Sequence, residues 1–107
     1  MIENDYSTMG MIEALIKLEE EYDTLLNKYY KKLYNELDAA GKASLKTAQQ
    51  NWIKFRDSEH NLINSLYSNV YERMGGGTMW KVITAEKSTQ LTKNRVIELY
   101  EHLSLFY

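Results

Sequence analysis

The sequence predicts an all-α fold, one helical domain over 1–107, built as an antiparallel three-helix bundle with long helices at about 8–36, 39–73 and 79–105. Three observations predict it. Proline is absent, so nothing forces a break inside a long helix. Apolar residues recur at steps of three and four through most of the chain. Only two stretches punctuate that pattern, Leu37-Asp38-Ala39-Ala40-Gly41-Lys42 and Gly75-Gly76-Gly77. No segment alternates with period two beside turn residues, so no sheet is expected. Short connections place sequential helices side by side.

Residues 1–6 read as a polar lead-in, and the hydroxyl of Ser7 or Thr8 is suited to cap the first helix. Its stripe runs through Met11, Leu15, Leu18, Tyr22, Leu25, Tyr29, Leu33 and Leu37, widened by Ile12, Leu26 and Tyr30. Glu13, Lys17, Glu20, Thr24 and Lys31 form the opposite, solvated face. A helix this long needs tertiary packing to persist. Asp38 is the preferred N-cap of the second helix, with Gly41 as the alternative C′ residue of the first. The second stripe reads Leu45, Ala48, Trp52, Phe55, Leu62, Leu66 and Val70, with Ile63 and Tyr67 beside it. Glu59 falls inside that stripe, where a carboxylate needs a cation such as Arg56. The triple glycine ends the helix; it lacks the preceding strand and the Lys-Ser/Thr of a phosphate loop. Thr78 is placed to cap the third helix. Met79, Val82, Ile83, Leu91, Val96, Leu99, Leu103 and Phe106 form its stripe. The polar middle, Glu86, Lys87, Thr89 and Gln90, predicts an oblique crossing or a polar feature facing it.

Composition excludes several function classes. Hydrophobic residues make up 44% and charged residues 26%, which suits a soluble folded chain rather than a disordered one. A formal charge of −2 supplies no basic face for nucleic acid. Residues 1–38 hold nine acidic and four basic residues, so the first helix is acidic against mildly basic partners. With no cysteine there is no disulfide and no thiolate chemistry. No apolar run reaches the roughly 20 residues of a membrane span, so no insertion is expected. His60 and His102 are isolated, which predicts no metal site and no cofactor. Glu59 and His60, adjacent on a helix, point about 100° apart, which spoils an acid–base pair. No catalytic constellation emerges, so the chain is read as a non-enzyme.

The stretch from Ala48 to Asp57 is the centre of the pattern. Gln49, Trp52 and Arg56 share one side of a helix, and Asp57 follows the arginine. Trp52 reads as core. Arg56 and Arg95 are expected to pair with Asp23, Asp57 or Glu59, with Asn27, Gln49 and Thr92 completing a hydrogen-bonded clasp between the helices. If Arg56 belongs to a buried pair, Arg56→Ala costs about 3 kcal/mol. The competing reading makes the same network the border of a pocket for a small polar ligand or a partner side chain.

The same residues carry a resemblance. Ala48-Gln49-x-x-Trp52-x-x-x-Arg56-Asp57 resembles the signature of the LprI-type lysozyme-inhibitor N-terminal family. Asp23-x-x-Leu26-Asn27-x-x-Tyr30, Leu45-Lys46-x-Ala48-Gln49, Gly76-Gly77-Thr78 and Leu91-Thr92-x-x-Arg95-x-x-Glu98-Leu99 are similar to its other elements, in the same order, over roughly residues 11–103. Cysteines of the family pattern are replaced here, by His60, by Lys87 and near Ala14, as if whole bridges were lost together. The resemblance implies a small helical protein of bacterial envelopes, periplasmic or secreted, whose relatives include inhibitors of lysozyme. Met1-Ile2-Glu3-Asn4-Asp5 does not read as a signal peptide, which leaves a cytoplasmic location open.

The expected function is protein binding or inhibition without catalysis, with a lysozyme or another envelope protein as partner. The candidate interface is the acidic run Glu19, Glu20 and Glu21 together with the tyrosines Tyr29, Tyr30 and Tyr34. The alternative is a structural helical interaction module that self-associates as a homo-oligomer through its tyrosines and does not inhibit lysozyme.

Overall fold

The computed structural model describes residues 2–73, 75 and 79–107, with the backbone only for 2–7. Three helices account for it: α1 (Ile2–Glu36), α2 (Ala39–Arg73) and α3 (Met79–Ser104), with no strand among the described residues. The molecule measures 56 × 22 × 15 Å, and its radius of gyration is 17.3 Å. A compact chain of this length would have about 13 Å. The length is that of α1 and α2 themselves, since 35 residues at 1.5 Å each extend about 52 Å.

α1 and α3 run parallel and share the most extensive interface; α2 runs antiparallel between them in sequence. Contacts along the α1–α3 seam keep a nearly constant register: Thr89 beside Leu15, Thr92 beside Glu19, Tyr100 against Tyr29 and Tyr107 against Glu36. α2 packs mainly on α3 and only slightly on α1, although two residues join α1 to α2. Sequential connection therefore sets the order of the helices, but not which pair is most closely packed.

Leu26, Leu33, Leu45, Val96, Leu99 and Leu103 form the core, with Tyr22, Leu25, Tyr29, Tyr30, Leu37 and Trp52 packed on it. These residues come from the end of α1, the start of α2 and the end of α3, so the core fills one end of the rod. Towards the other end the buried set, among the described residues, is Thr8, Val82 and Thr84.

Several expectations need correction. α1 begins at Ile2, six residues before the predicted start, so Thr8 is a buried residue inside the helix rather than its cap. Residues 2–7 contain neither proline nor glycine to stop a helix extending backward. The inward line of α1 is rotated toward Leu26 and Leu33, leaving Met11 and Leu18 exposed. Phe55, Leu62, Leu66 and Val70, read as the core stripe of α2, are exposed. The face turned inward holds Leu45, Gln49, Trp52, Arg56, Ile63 and Tyr67. α2 has one principal neighbour, and the polar groups that reach α3 fix the rotation in place of the apolar sum. Met79 at the start of α3 and Phe106 in the turn after it, both read as part of the third stripe, are exposed as well.

The connections follow local chemistry. Asp38 caps α2: its Oδ1 accepts from Gly41 N at 2.8 Å, and its carbonyl accepts from Lys42 N at 2.8 Å. Gly41 thus lies in the first turn of α2 and is not a C′ residue. After α2, Gly75 takes φ +98° and its N–H reaches the Glu72 carbonyl, a left-handed ending that glycine adopts without strain. The proposed Thr78 cap lies outside the described residues, as do Gly76 and Gly77. Residues 105–107 continue α3 as a tight turn, and Tyr107 donates its hydroxyl to Glu36 Oε1 at 3.1 Å.

Two outcomes follow from the connections. Asp38→Ala should lower stability by about 1 kcal/mol, read by urea denaturation, because the Gly41 N–H loses its acceptor. The Tyr107 phenol should titrate above its ordinary 10.0, chiefly because its neutral form donates to Glu36 and secondarily because of the carboxylate charge. A group raised in the folded state holds its contact below the unfolded pKa and loses it as pH rises through the folded one. NMR titration of the Tyr107 ring should therefore show a high-pH midpoint that Glu36→Gln brings back toward 10.0.

Candidate functional site

Arg95 lies on the buried line of α3 between Thr92 and Leu99. Its side chain is only 10% exposed, and its Nε donates to Gln49 Oε1 of α2 at 3.0 Å. A buried guanidinium and a buried amide each need a partner, and here each supplies the other's. Glu98, one turn on, lies 3.8 Å from Arg95 Nη1 at the solvent edge.

Trp52 stands one turn after Gln49 and fills the space between the two arginines. The Arg56 guanidinium carbon is 4.9 Å from its ring centroid and that of Arg95 is 6.0 Å away. Both distances fall in the range of cation–π attraction. Arg56 also bridges to α1, with Nη1 3.3 Å from Asp23 Oδ1. That pair is half open, at 21% and 46% side-chain exposure, so water screens much of its attraction. Arg56 Nε is buried without a hydrogen-bond partner and lies 3.9 Å from Asp57 Oδ1.

The polar middle of α3 meets α1. Thr92, 0% exposed, donates to Glu19 Oε1 at 3.1 Å. Thr89 donates to Ala85 O at 2.8 Å in its own helix and lies 3.4 Å from the Leu15 carbonyl. Its one proton serves the shorter contact, and the longer distance records how closely the two helices approach.

The residues singled out in the sequence thus divide. Asp23, Gln49, Trp52, Arg56, Thr92 and Arg95 lie along the meeting of the three helices, but in separate contacts: Asp23 with Arg56, Gln49 with Arg95, Thr92 with Glu19. Asn27 is exposed on the rim. Asp57 is exposed on the outer side of Arg56. Glu59 makes no ion pair with an arginine among the described residues; it lines a groove between α2 and α3 with Leu62, Leu66 and Lys87. Glu19 points inward and so leaves Glu20 and Glu21 as the exposed part of the acidic run. Tyr29 is half-buried against Tyr100, with centroids 5.6 Å apart. Tyr30 stacks on Tyr34 at 6.1 Å, and Lys42 stands over the Tyr34 ring at 5.2 Å.

The seam between α1 and α2 is open above the clasp. A depression of about 500 Å³ runs there, floored by Leu26, Gln49 and Trp52 and edged by Asn27, Lys46 and Gln50. His60 is half-buried, and its Nε2 is buried without a hydrogen-bond partner. Among the described residues no three His, Cys, Asp or Glu side chains gather into a metal-binding group.

The sequence model of the family described as lysozyme inhibitor LprI matches residues 3–99. The chain belongs to this family. No curated protein and no solved structure matches the chain. The matched span takes in the whole clasp, from Asp23 on α1 to Arg95 on α3, and leaves out the turn that pins Tyr107 to Glu36.

Sequence reasoning missed the inward orientation of Glu19 and the close contact at Thr89. The three-residue step from Thr89 to Thr92 places two small β-branched residues on one face of α3, a signal for close helix approach. The burial difference fixes the expected order of substitution effects. Arg95→Ala leaves the Gln49 carbonyl oxygen buried without a donor and should cost about 2–3 kcal/mol. Arg56→Ala breaks a half-exposed pair and should cost about 1 kcal/mol, less than a buried pair would. Thermal melts of the two variants give the comparison.

Proposed function

We propose that this protein is a non-catalytic binding module of the bacterial envelope that docks on a lysozyme and inhibits it. Membership of the lysozyme inhibitor LprI family carries this reading. The family is an inhibitor family and typically extracellular or periplasmic, and among the described residues no helix is long and apolar enough to cross a membrane.

The use of the polar side chains supports it. Arg95, Gln49, Thr92 and Glu19 are engaged in joining helices, and Arg56 is engaged with Asp23 and Trp52. On this reading the clasp is a structural device that holds three helices in one relative orientation. A rigid, pre-ordered surface loses little conformational freedom on binding, which favours a stable complex. The contact with a lysozyme then lies on exposed side chains outside the clasp, among them Glu20, Glu21 and Tyr34.

The deciding measurement is muralytic activity of lysozymes of several classes against cell-wall substrate, titrated with the purified chain. Activity of at least one class should fall in proportion to added protein and plateau near equimolar ratio when the enzyme concentration exceeds Kd. Full activity of every class at large excess would reject the reading.

A further inference from the structure

Residues 9–21 of α1 rest on the bundle along one narrow line, with Ile12, Leu15 and Glu19 half-buried. Large apolar side chains flank that line in the open. Met9 and Ile16, seven residues apart and so on one row, are 57% and 51% exposed; Met11 and Leu18, also seven apart, are 46% and 37% exposed on the other flank. Glu13 and Glu20 border the first row and Glu21 borders the second, all three exposed. Lys17 is the only basic residue before Lys28, against seven acidic residues in the same span.

This is an amphipathic helix with two apolar rows and an acidic outer face, lying along the bundle away from the leucine core. Open apolar rows rimmed by charge mark an interaction surface. Methionine adapts its shape to a partner more readily than branched residues do. An i, i+7 pair of anchors is how a helix lies in a groove of another protein. The charge selects the partner, because a basic surface gains from Glu13, Glu20 and Glu21, and an acidic one is repelled.

We propose that residues 9–21 of α1 form the docking surface for a basic lysozyme, with Met9, Ile16, Met11 and Leu18 as apolar anchors and Glu13, Glu20 and Glu21 as the charged rim. The proposal rests on the lysozyme-binding function proposed above and names the surface that performs it. It moves the contact away from Tyr29 and Tyr30, which pack against the core.

The test is calorimetric and kinetic binding of the full chain to a purified basic lysozyme of the c-type, at low and at moderate salt. The variants are the triple reversal Glu13→Lys, Glu20→Lys, Glu21→Lys and the double Met9→Ser, Ile16→Ser, with Glu101→Lys on α3 as a surface-charge control. All six positions are exposed, and circular dichroism with thermal melts verifies that each variant folds. The triple reversal should weaken binding by about 100-fold or more and slow association, and wild-type affinity should fall as salt rises. The apolar double variant should weaken binding by about tenfold, mainly through faster dissociation. Glu101→Lys should bind as the wild type does. Tight wild-type binding that neither variant weakens overturns this surface while leaving the lysozyme function standing. Failure of the wild type to bind this basic lysozyme overturns the surface, and if the activity titration also finds no class inhibited, the lysozyme function falls with it. Should the double variant convert a wild-type dimer to a monomer without altering lysozyme affinity, the rows serve a second copy and the proposal fails.

Discussion

The buried hydrogen bond from Arg95 Nε to Gln49 Oε1 is the constraint on which the arrangement of the helices depends. α2 has little contact with α1, so its placement is decided on α3, and this bond is where a specific polar match is made there. A guanidinium in that position tolerates only one rotation of α2, the one that brings an amide oxygen opposite Nε. That rotation carries Trp52 to a place between the two arginines and Arg56 to the side facing Asp23. Apolar packing alone is less directional, and would accept Phe55 or Leu62 on the inner face as readily. The polar match therefore specifies the geometry more than it adds stability, consistent with the modest net gain of a buried hydrogen bond.

The α1–α3 seam works differently. Along it lie Thr89 and Thr92, small and β-branched, and the helices come close enough for a threonine oxygen to stand 3.4 Å from a backbone carbonyl across the seam. Beyond that region the leucines take over, with Leu99 and Leu103 of α3 against Leu26 and Leu33 of α1. The rod is thus uneven. One end has a leucine core, a capped turn and a pinned C-terminal turn; towards the other the buried residues, among those described, are Thr8, Val82 and Thr84. Fewer buried apolar contacts mean a lower local free energy of opening, so the exposed rows of residues 9–21 sit on a less tightly held part of α1 than the leucine core. The cysteine-free sequence leaves this gradient uncorrected, since no disulfide ties the loose end.

Charge follows the same axis. The acidic half of α1 carries Glu13, Glu20 and Glu21 outward, and Lys28, Lys31 and Lys32 follow toward the packed end. With a formal charge of −2 the whole molecule steers weakly, but at the roughly 8–10 Å range of physiological screening a partner meets one end at a time. Local sign, more than net charge, then decides which end it meets.

Sequence alone determined the three helices, the Asp38 cap and the glycine ending of α2, because each rests on local chemistry: a missing proline, a carboxylate three residues before an N–H, a residue free to take positive φ. The grouping of Gln49, Trp52 and Arg56 was legible for the same reason, as spacing along a helix brings them to one side. What the sequence left open is which side of each helix faces in. α2 carries one broad apolar stripe, Leu45, Ala48, Trp52, Phe55, Leu62, Leu66 and Val70, with Gln49, Arg56 and Tyr67 along one edge of it, and hydrophobicity favours burying the stripe as a whole. Tertiary structure turned the edge with Gln49, Trp52, Arg56 and Tyr67 inward, where Gln49 Oε1 accepts from the buried Arg95 Nε of α3. Likewise Glu19 reads as surface until Thr92 is brought across from 73 residues away to meet it. Pairings at that separation are fixed by how helices pack, which no local pattern records.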